Sequence, residues 1–263
     1  MTLLPEARLH VVSDSGAISE PEPAQLPHDV RFTVPLYTSA EAARYLDVPS
    51  STFAAWVKGR RGEFPHHAIA DGAPVVTGLA PELSGGPSIP FGGLAEGMFL
   101  SALRSAGMLL RRIRPALDAV QHKLGIDHGL ASRQLYVAGA DLFWEVSNDD
   151  AVDDEARHGA RELIVMRNGQ YVFRQMIERY LRRIEYDDGY ARRLHLPRYE
   201  VADIATDTET NFGRPYFAHT GTPLDVVKGQ LTAGETIDDV AADFELPVDQ
   251  VTEVALRDGA LAP

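Results

Sequence analysis

The densest chemistry in the sequence is acidic. Asp149, Asp150, Asp153, Asp154 and Glu155 fall within seven residues, with Asn148 before them. Carboxylates of this kind can hold a divalent cation, and a cation so held would make the chain a metal-dependent hydrolase. Metal ligands usually converge from separate elements, however, and few neighbours on one loop can point inward, so a solvated loop is the stronger reading. His66 and His67 follow Pro65 in a Gly- and Pro-rich segment. They have no carboxylate at helical spacing, no HExxH pattern occurs anywhere, and they read as surface histidines. Ser84-Gly85-Gly86 lies in a Pro-rich loop with no strand before it, and there is no G-x-S-x-G elbow, P-loop or dinucleotide turn. The chain has no Cys, hence no thiolate nucleophile, thiolate metal site or disulfide. The expectation is a protein that is not an enzyme, with no cofactor, in a reducing cytoplasm.

Basic residues supply the other chemistry. The 263 residues carry 25 Lys and Arg against 38 Asp and Glu, a formal charge of −13, so any contact with nucleic acid must be local. Residues 38–61 have a charge of +2, 98–133 of +4 and 161–198 of +4, whereas Asp141–Glu155 holds seven carboxylates and no cation. From Glu200 to the end there are three basic residues against thirteen acidic ones. Alternating blocks of this kind imply modules with different partners. No apolar run approaches the roughly 20 residues needed to cross a bilayer.

The elements that must position these residues can be read from spacing. Residues 1–35, with Pro5, Pro21, Pro23, Pro27 and Pro35, read as a flexible leader. Thr38 followed three residues later by Glu41 is a capping box that starts a helix over about Ser39–Leu46. Asp47-Val48 then gives a tight turn, Pro49 suits the first position of a second helix, and Gly59 suits its end. Ala42 and Ala43 let the pair cross closely, and Leu46, Val48, Phe53 and Val57 fill the space between. This is helix-turn-helix geometry. Ala73-Pro74-Val75-Val76 reads as one strand of a small hairpin or wing. Apolar residues from Leu94 to Leu124 recur at three- and four-residue steps, predicting helix with a break or kink at Gly107 and Pro115.

Gln134–Val137 and Asp141–Val146, joined by Ala138-Gly139-Ala140, read as a β-hairpin, with Arg161–Met166 as a third strand. A charged helix is predicted over about Val172–Ile184, with Phe173, Met176, Ile177, Tyr180, Leu181 and Ile184 on one face and Arg174, Arg179, Arg182 and Arg183 on the other. It could be a solvated helix, a protein interface or a nucleic-acid contact. A second helix-turn-helix spans Thr232–Leu256: Ile237, Val240, Ala241 and Phe244 form one stripe, and Val248, Val251 and Val254–Leu256 pack from the next helix. Its surface carries Glu235, Asp238, Asp239, Asp243, Glu245, Asp249 and Glu253, which suits protein rather than phosphate.

The Tyr37–Gly59 segment resembles the helix-turn-helix of MerR-like and excisionase-like regulators, in which Tyr-Thr opens the first helix. The resemblance implies that Ser50, Ser51 and Thr52 begin a recognition helix and that Lys58, Arg60 and Arg61 contact phosphates beyond it; Ala54 and Ala55 stand where such regulators often place a basic residue. Gly213-Arg214-Pro215, Thr220, Pro223 and Gly234-Glu235 resemble the antitoxin-type domain of unknown function 433, with His219 and Thr222 departing from its usual turn. Together the two ends resemble the longer VapB-like type II antitoxins. That resemblance implies neutralisation of a PIN-like ribonuclease toxin and repression of the protein's own operon, with operator DNA and toxin as partners. Arg174, Arg179, Arg182, Arg183 and Arg214 are the candidate toxin contacts, because guanidinium matches carboxylate bidentately. A homodimer is expected from the two-fold symmetry of palindromic sites. A stand-alone regulator with a protein- or ligand-binding C-terminal domain is the alternative.

The expected fold is mainly α with a small β component: a MerR-like winged helix-turn-helix and a C-terminal three-helix, homeodomain-like module. The expected boundaries are a leader over 1–35, a DNA-binding domain over 36–130, a central hairpin and Arg-rich helix over 131–198, and an antitoxin-type domain over 199–263.

Overall fold

The Asp29 carboxylate accepts the Arg31 amide and caps the short helix α1 (Val30–Thr33). Phe32 on this turn is buried, stacked on His128 with ring centroids 4.0 Å apart and edge-on to Tyr190 at 5.3 Å. Residues 30–35, expected as the end of a flexible leader, are therefore folded, because a buried aromatic outweighs the prolines around it. The computed structural model describes residues 29–59, 73–164, 166–167, 170–171 and 182–259, so residues 1–28 of that leader lie outside the described residues.

Strand β1 (Pro35–Tyr37) leads into α2 (Ser39–Tyr45) and α3 (Ser50–Lys58), and it pairs antiparallel with β2 (Ile89–Pro90). The Ala73–Val76 run is a bend, not the expected strand of a wing. Pro74 has no N–H to give a ladder, and the amides of Val75 and Val76 instead donate to the Trp56 carbonyl at 2.9 and 3.2 Å. That carbonyl lies in the last turn of α3, where intrahelical partners run out.

Helices α4 (Phe91–Ser105) and α5 (Leu110–Leu124) follow the predicted periodicity, and the break falls at Gly107, whose φ is +83°. Pro115, the sixth residue of α5, lies inside the helix without ending it, although it removes one ladder bond there. Helices α6 (Arg133–Asn148) and α7 (Asp154–Ile164) pack with α5 into one layer.

The hairpin expected at Gln134–Val146 is thus helix α6, and the expected third strand is mostly α7. Leu135, Phe143 and Val146 are buried while Trp144 is 58% exposed. An alternating strand would have put Trp144 on the same face as Val146, whereas the observed burial has the period of a helix. The Ser132 hydroxyl caps α6 by accepting the Leu135 amide at 3.3 Å. Met166, the last residue of the expected third strand, is extended and opens β3 (Met166–Arg167), which pairs with β4 (Gln170–Tyr171).

The Arg-rich helix expected over 172–184 lies outside the described residues up to Leu181, and Ile184 opens a strand instead. Strands β5 (Ile184–Asp187), β6 (Tyr190–His195), β7 (Ile204–Asp207) and β8 (Tyr216–Phe217) form an antiparallel sheet in that order. Three helices close the chain, α8 (Leu224–Ala233), α9 (Ile237–Asp243) and α10 (Val248–Asp258). Val251, Val254 and Ala255 carry the packing of α10, while Val248 and Leu256, expected to join them, are 49% and 67% exposed.

Helix α4 holds α3 in place. A Cβ added at Gly97 would lie 2.7 Å from Phe53 and 2.8 Å from Leu46, and both of those side chains are buried. Gly97→Ala should therefore lower stability by about 1–3 kcal/mol through overpacking. Urea denaturation checks this, and an unchanged midpoint would contradict the close approach.

Three carboxylates fasten the last helices and the sheet. The Asp258 side chain is 2% exposed, accepts the Tyr199 hydroxyl at 2.9 Å, and faces Lys228 Nζ at 2.9 Å and Arg198 at 3.1 Å. Glu253 accepts the amides of Glu200, Val201 and Ala202 at 2.8, 2.9 and 2.7 Å. Asp207 accepts the amides of Glu209 and Thr210 at 2.9 and 2.6 Å, Arg193 Nε at 3.1 Å, and the Tyr216 hydroxyl. Burial alone would raise all three carboxyls, but the donors outweigh it and hold each below its ordinary value. Folding thus favours the charged forms. Their stabilisation is complete above the unfolded carboxylate pKa of about 4 and is lost as pH falls below it. The melting temperature should be nearly flat from neutral pH to about 5 and fall steeply below about 4. Asp258→Asn should cost about 3 kcal/mol at neutral pH by leaving Lys228 and Arg198 uncompensated. A melting temperature insensitive to acid would contradict the assignment.

Candidate nucleic-acid interface

The capping box read from the sequence is present. The Glu41 amide donates to Thr38 Oγ1 at 3.2 Å, and the Thr38 amide donates to Glu41 Oε2 at 2.8 Å. The turn after α2 passes through Asp47 at φ +53°, a conformation that Asp tolerates better than most side chains. It is closed by the Val48 amide donating to the Ala43 carbonyl at 3.0 Å. Ala42 and Ala43 are fully buried, and Leu46, Val48, Phe53 and Trp56 are buried around the crossing. Pro49 is the N-cap of α3, one position earlier than expected, and Gly59 ends the helix at φ +70°.

Among the described residues this packing leaves one face of α3 uncovered. Ser50, Ser51 and Lys58 are exposed, and Thr52, Ala54 and Ala55 are half-buried. Helix α3 has no side-chain cap, and the amides of Ser50 and Ser51 have no acceptor among the described residues. Free N–H groups, two hydroxyls and the positive end of the helix dipole make a surface suited to phosphate or base edges. Arg60 and Arg61 lie outside the described residues. Behind the helix pair, the Tyr37 hydroxyl meets Thr206 Oγ1 at 2.9 Å; burial pushes that phenol up, against the smaller effect of its bond to Thr206, so it stays neutral. This bond ties the helix-turn-helix to the sheet.

The acidic loop is occupied by cations and amides. Asp149 pairs with Lys123 at 3.0 Å, Asp150 pairs with Arg157 at 2.9 Å, Asp154 also binds Arg157, and Asp153 accepts the Ala156 amide at 2.7 Å as α7 begins. Among the described residues no three His or carboxylate side chains are arranged to hold a metal ion.

The candidate arginines separate into different roles. Arg174 and Arg179 lie outside the described residues. Arg182 is exposed. Arg183 donates to the carbonyls of Leu196 and Tyr199 at 3.1 and 3.2 Å, which makes it a brace for the chain after β6. Arg214 is exposed and pairs with Asp225 at 3.3 Å. Glu253, counted from the sequence among the surface acids of the last helices, is turned inward onto residues 200–202. One residue escaped the sequence reading altogether: Phe212 is 90% exposed at φ +54°, next to Asn211 at φ +49°. Apolar periodicity carries no signal for a side chain held out on a turn.

Comparison with known proteins supplies the family. Residues 35–117 match the family model described as "Putative DNA-binding HTH domain", and residues 204–256 match "Protein of unknown function (DUF433)". "Putative antitoxin VapB45" from Mycobacterium tuberculosis is 39% identical over 229 residues, which cover 86% of this chain and 94% of the relative. The crystal structure of Rv2018 from Mycobacterium tuberculosis matches with a TM-score of 0.71 at 37% identity, covering 85% of this chain and 99% of that one. With a helix-turn-helix at one end, a DUF433 module at the other and this identity over nearly the whole relative, the chain belongs to the VapB45-like antitoxin family.

Proposed function

We propose that this chain is a DNA-binding antitoxin that represses its own operon and neutralises a PIN-like ribonuclease toxin. The observation that carries the DNA half of this reading is the free face of α3. Two exposed hydroxyls and two amides without acceptors among the described residues stand at its start and Lys58 at its end, while the opposite face is locked into the core. In this reading Ser50, Ser51 and Thr52 meet base edges and phosphates in a MerR-like docking, Lys58, Arg60 and Arg61 meet phosphates beyond, and the protein binds a palindromic site as a homodimer. The small side chains of Ala54 and Ala55 leave much of the specificity to DNA shape.

The C-terminal three-helix module, homeodomain-like in outline, serves the protein partner. Its exposed Glu235, Asp238, Asp239, Asp243, Glu245 and Asp249 repel a phosphate backbone. Arg182, Arg214 and the segment with Arg174 and Arg179 are the proposed contacts to the acidic active site of a ribonuclease. Arg183 is withdrawn from that set because it braces the fold. The paired state of Asp149, Asp150 and Asp154 disfavours the hydrolase alternative. In this reading the protein acts in the cytoplasm and without catalysis.

Affinity for a duplex from the region upstream of the protein's own reading frame should fall steeply with salt. The Lys58, Arg60 and Arg61 to Ala triple variant should lower the log–log salt slope by roughly 3, at about 0.9 per phosphate contact. Fluorescence anisotropy across a salt series measures this, and an unchanged slope removes those residues from the interface. For the partner, Arg182→Glu should weaken inhibition of a co-purified PIN-type ribonuclease at unchanged melting temperature, whereas Arg183→Ala should lower the melting temperature. Full inhibition by Arg182→Glu would take Arg182 out of the contact.

A further inference from the structure

The N-terminal turn of α5 is built in a way that does not serve the helix. Arg111, Arg112 and Arg114 crowd its first residues, with no acidic side chain in the turn and no side-chain cap. Cations there oppose the helix dipole, by about 0.3–1 kcal/mol each near the surface, so their placement calls for another explanation. Arg112 has one, an ion pair to Glu162 of α7 at 3.3 Å. Arg111 is exposed and has no carboxylate partner among the described residues.

The position of this turn identifies the anion. The Arg114 guanidinium donates to the Ala73 carbonyl, and two residues on, the amides of Val75 and Val76 donate to the Trp56 carbonyl in the last turn of α3. A single stretch of chain thus ties the start of α5 to the end of α3, where Lys58 is exposed. Arg111 lies three residues before Arg114, about one helical turn away and on the same face. Independently, the match to the DNA-binding domain model continues past α4 and ends only at residue 117, just after these arginines.

We propose that the DNA-binding surface extends beyond the helix-turn-helix to the first turn of α5, where Arg111, with the charge of Arg114 beside it, contacts a duplex phosphate next to those met by Lys58. This rests on the reading of α3 as a DNA-binding helix and adds a second grip on the backbone from a separate element. A contact of this kind supplies affinity and orientation without reading sequence.

The test uses the full chain and two duplexes, one from upstream of its own reading frame and one of scrambled sequence, each titrated over a salt series. Arg111→Ala should weaken binding to both duplexes by a similar factor and reduce the salt slope by about 1. Arg111→Glu should weaken it further, and both variants should keep the wild-type melting temperature. Arg112→Ala removes the same net charge from the same turn but a paired side chain, and it should leave the slope unchanged. If Arg111→Ala keeps the wild-type slope while Lys58→Ala lowers it, α5 is off the duplex and the proposal falls with the α3 reading intact. Equal effects from Arg111→Ala and Arg112→Ala reduce the result to overall charge and also overturn the contact. If the wild type binds neither duplex, the α3 reading fails and takes this proposal with it.

Discussion

The close approach of α3 to α4 at Gly97 is the constraint on which the rest of the arrangement depends. Residues 91–103 of α4 are buried along their whole length, so this helix has no face of its own in solvent. The helix-turn-helix covers it on one side, where the missing Cβ of Gly97 admits Phe53 and Leu46. Phe32 from α1 lies on another, and the core runs on from there into the sheet. In the middle of α4 the buried Glu96 accepts the Thr77 amide at 2.5 Å and meets Thr77 Oγ1 at 3.0 Å and His128 Nδ1 at 3.2 Å. Because a buried carboxylate must keep such partners, the chain leaving α3 and the turn before α6 are held to the same point. The orientation of α3 is therefore a property of the core and not of a flexible linker.

How much of this was legible in the sequence depended on whether a signal was local. The capping box at Thr38 and Glu41, the turn at Asp47 and the stop at Gly59 are satisfied within a few residues, and all three are present. The break at Gly107 and the three closing helices were legible for the same reason. The region around Trp144 was misread because a short apolar run fits both periods; burial of Leu135, Phe143 and Val146 by α7 and α5 decides it, and that information lies in other elements. The four-stranded sheet was missed: β5 and β8 are short, and what fixes them is pairing between strands far apart in sequence. Of the candidate site, spacing made the helix legible: Ser50 and Ser51 open α3 and Lys58 ends it, and their choice as contacts came from the family resemblance. Arg183 was chosen for its charge and holds backbone carbonyls. No sequence pattern tells an arginine that braces from one that waits for a partner.

The charge distribution fits this frame. The net charge of −13 would keep most of the molecule away from a phosphate backbone, and that repulsion is useful if only one face is to dock. Among the described residues Lys58 at the end of α3 and Arg111 in the first turn of α5 have no carboxylate partner, as do Arg44, Arg104 and Arg133 elsewhere, while Lys123, Arg157, Arg193 and Lys228 are paired with carboxylates.

The central claim is that the α3 face, and not the acidic C-terminal helices, meets DNA. Amide hydrogen exchange on the full chain, with and without a duplex from upstream of its reading frame, tests it at the level of elements. The account predicts added protection over residues 50–58 and none over α9 and α10. Protection confined to α9 and α10, or a profile unchanged by saturating duplex, would contradict it.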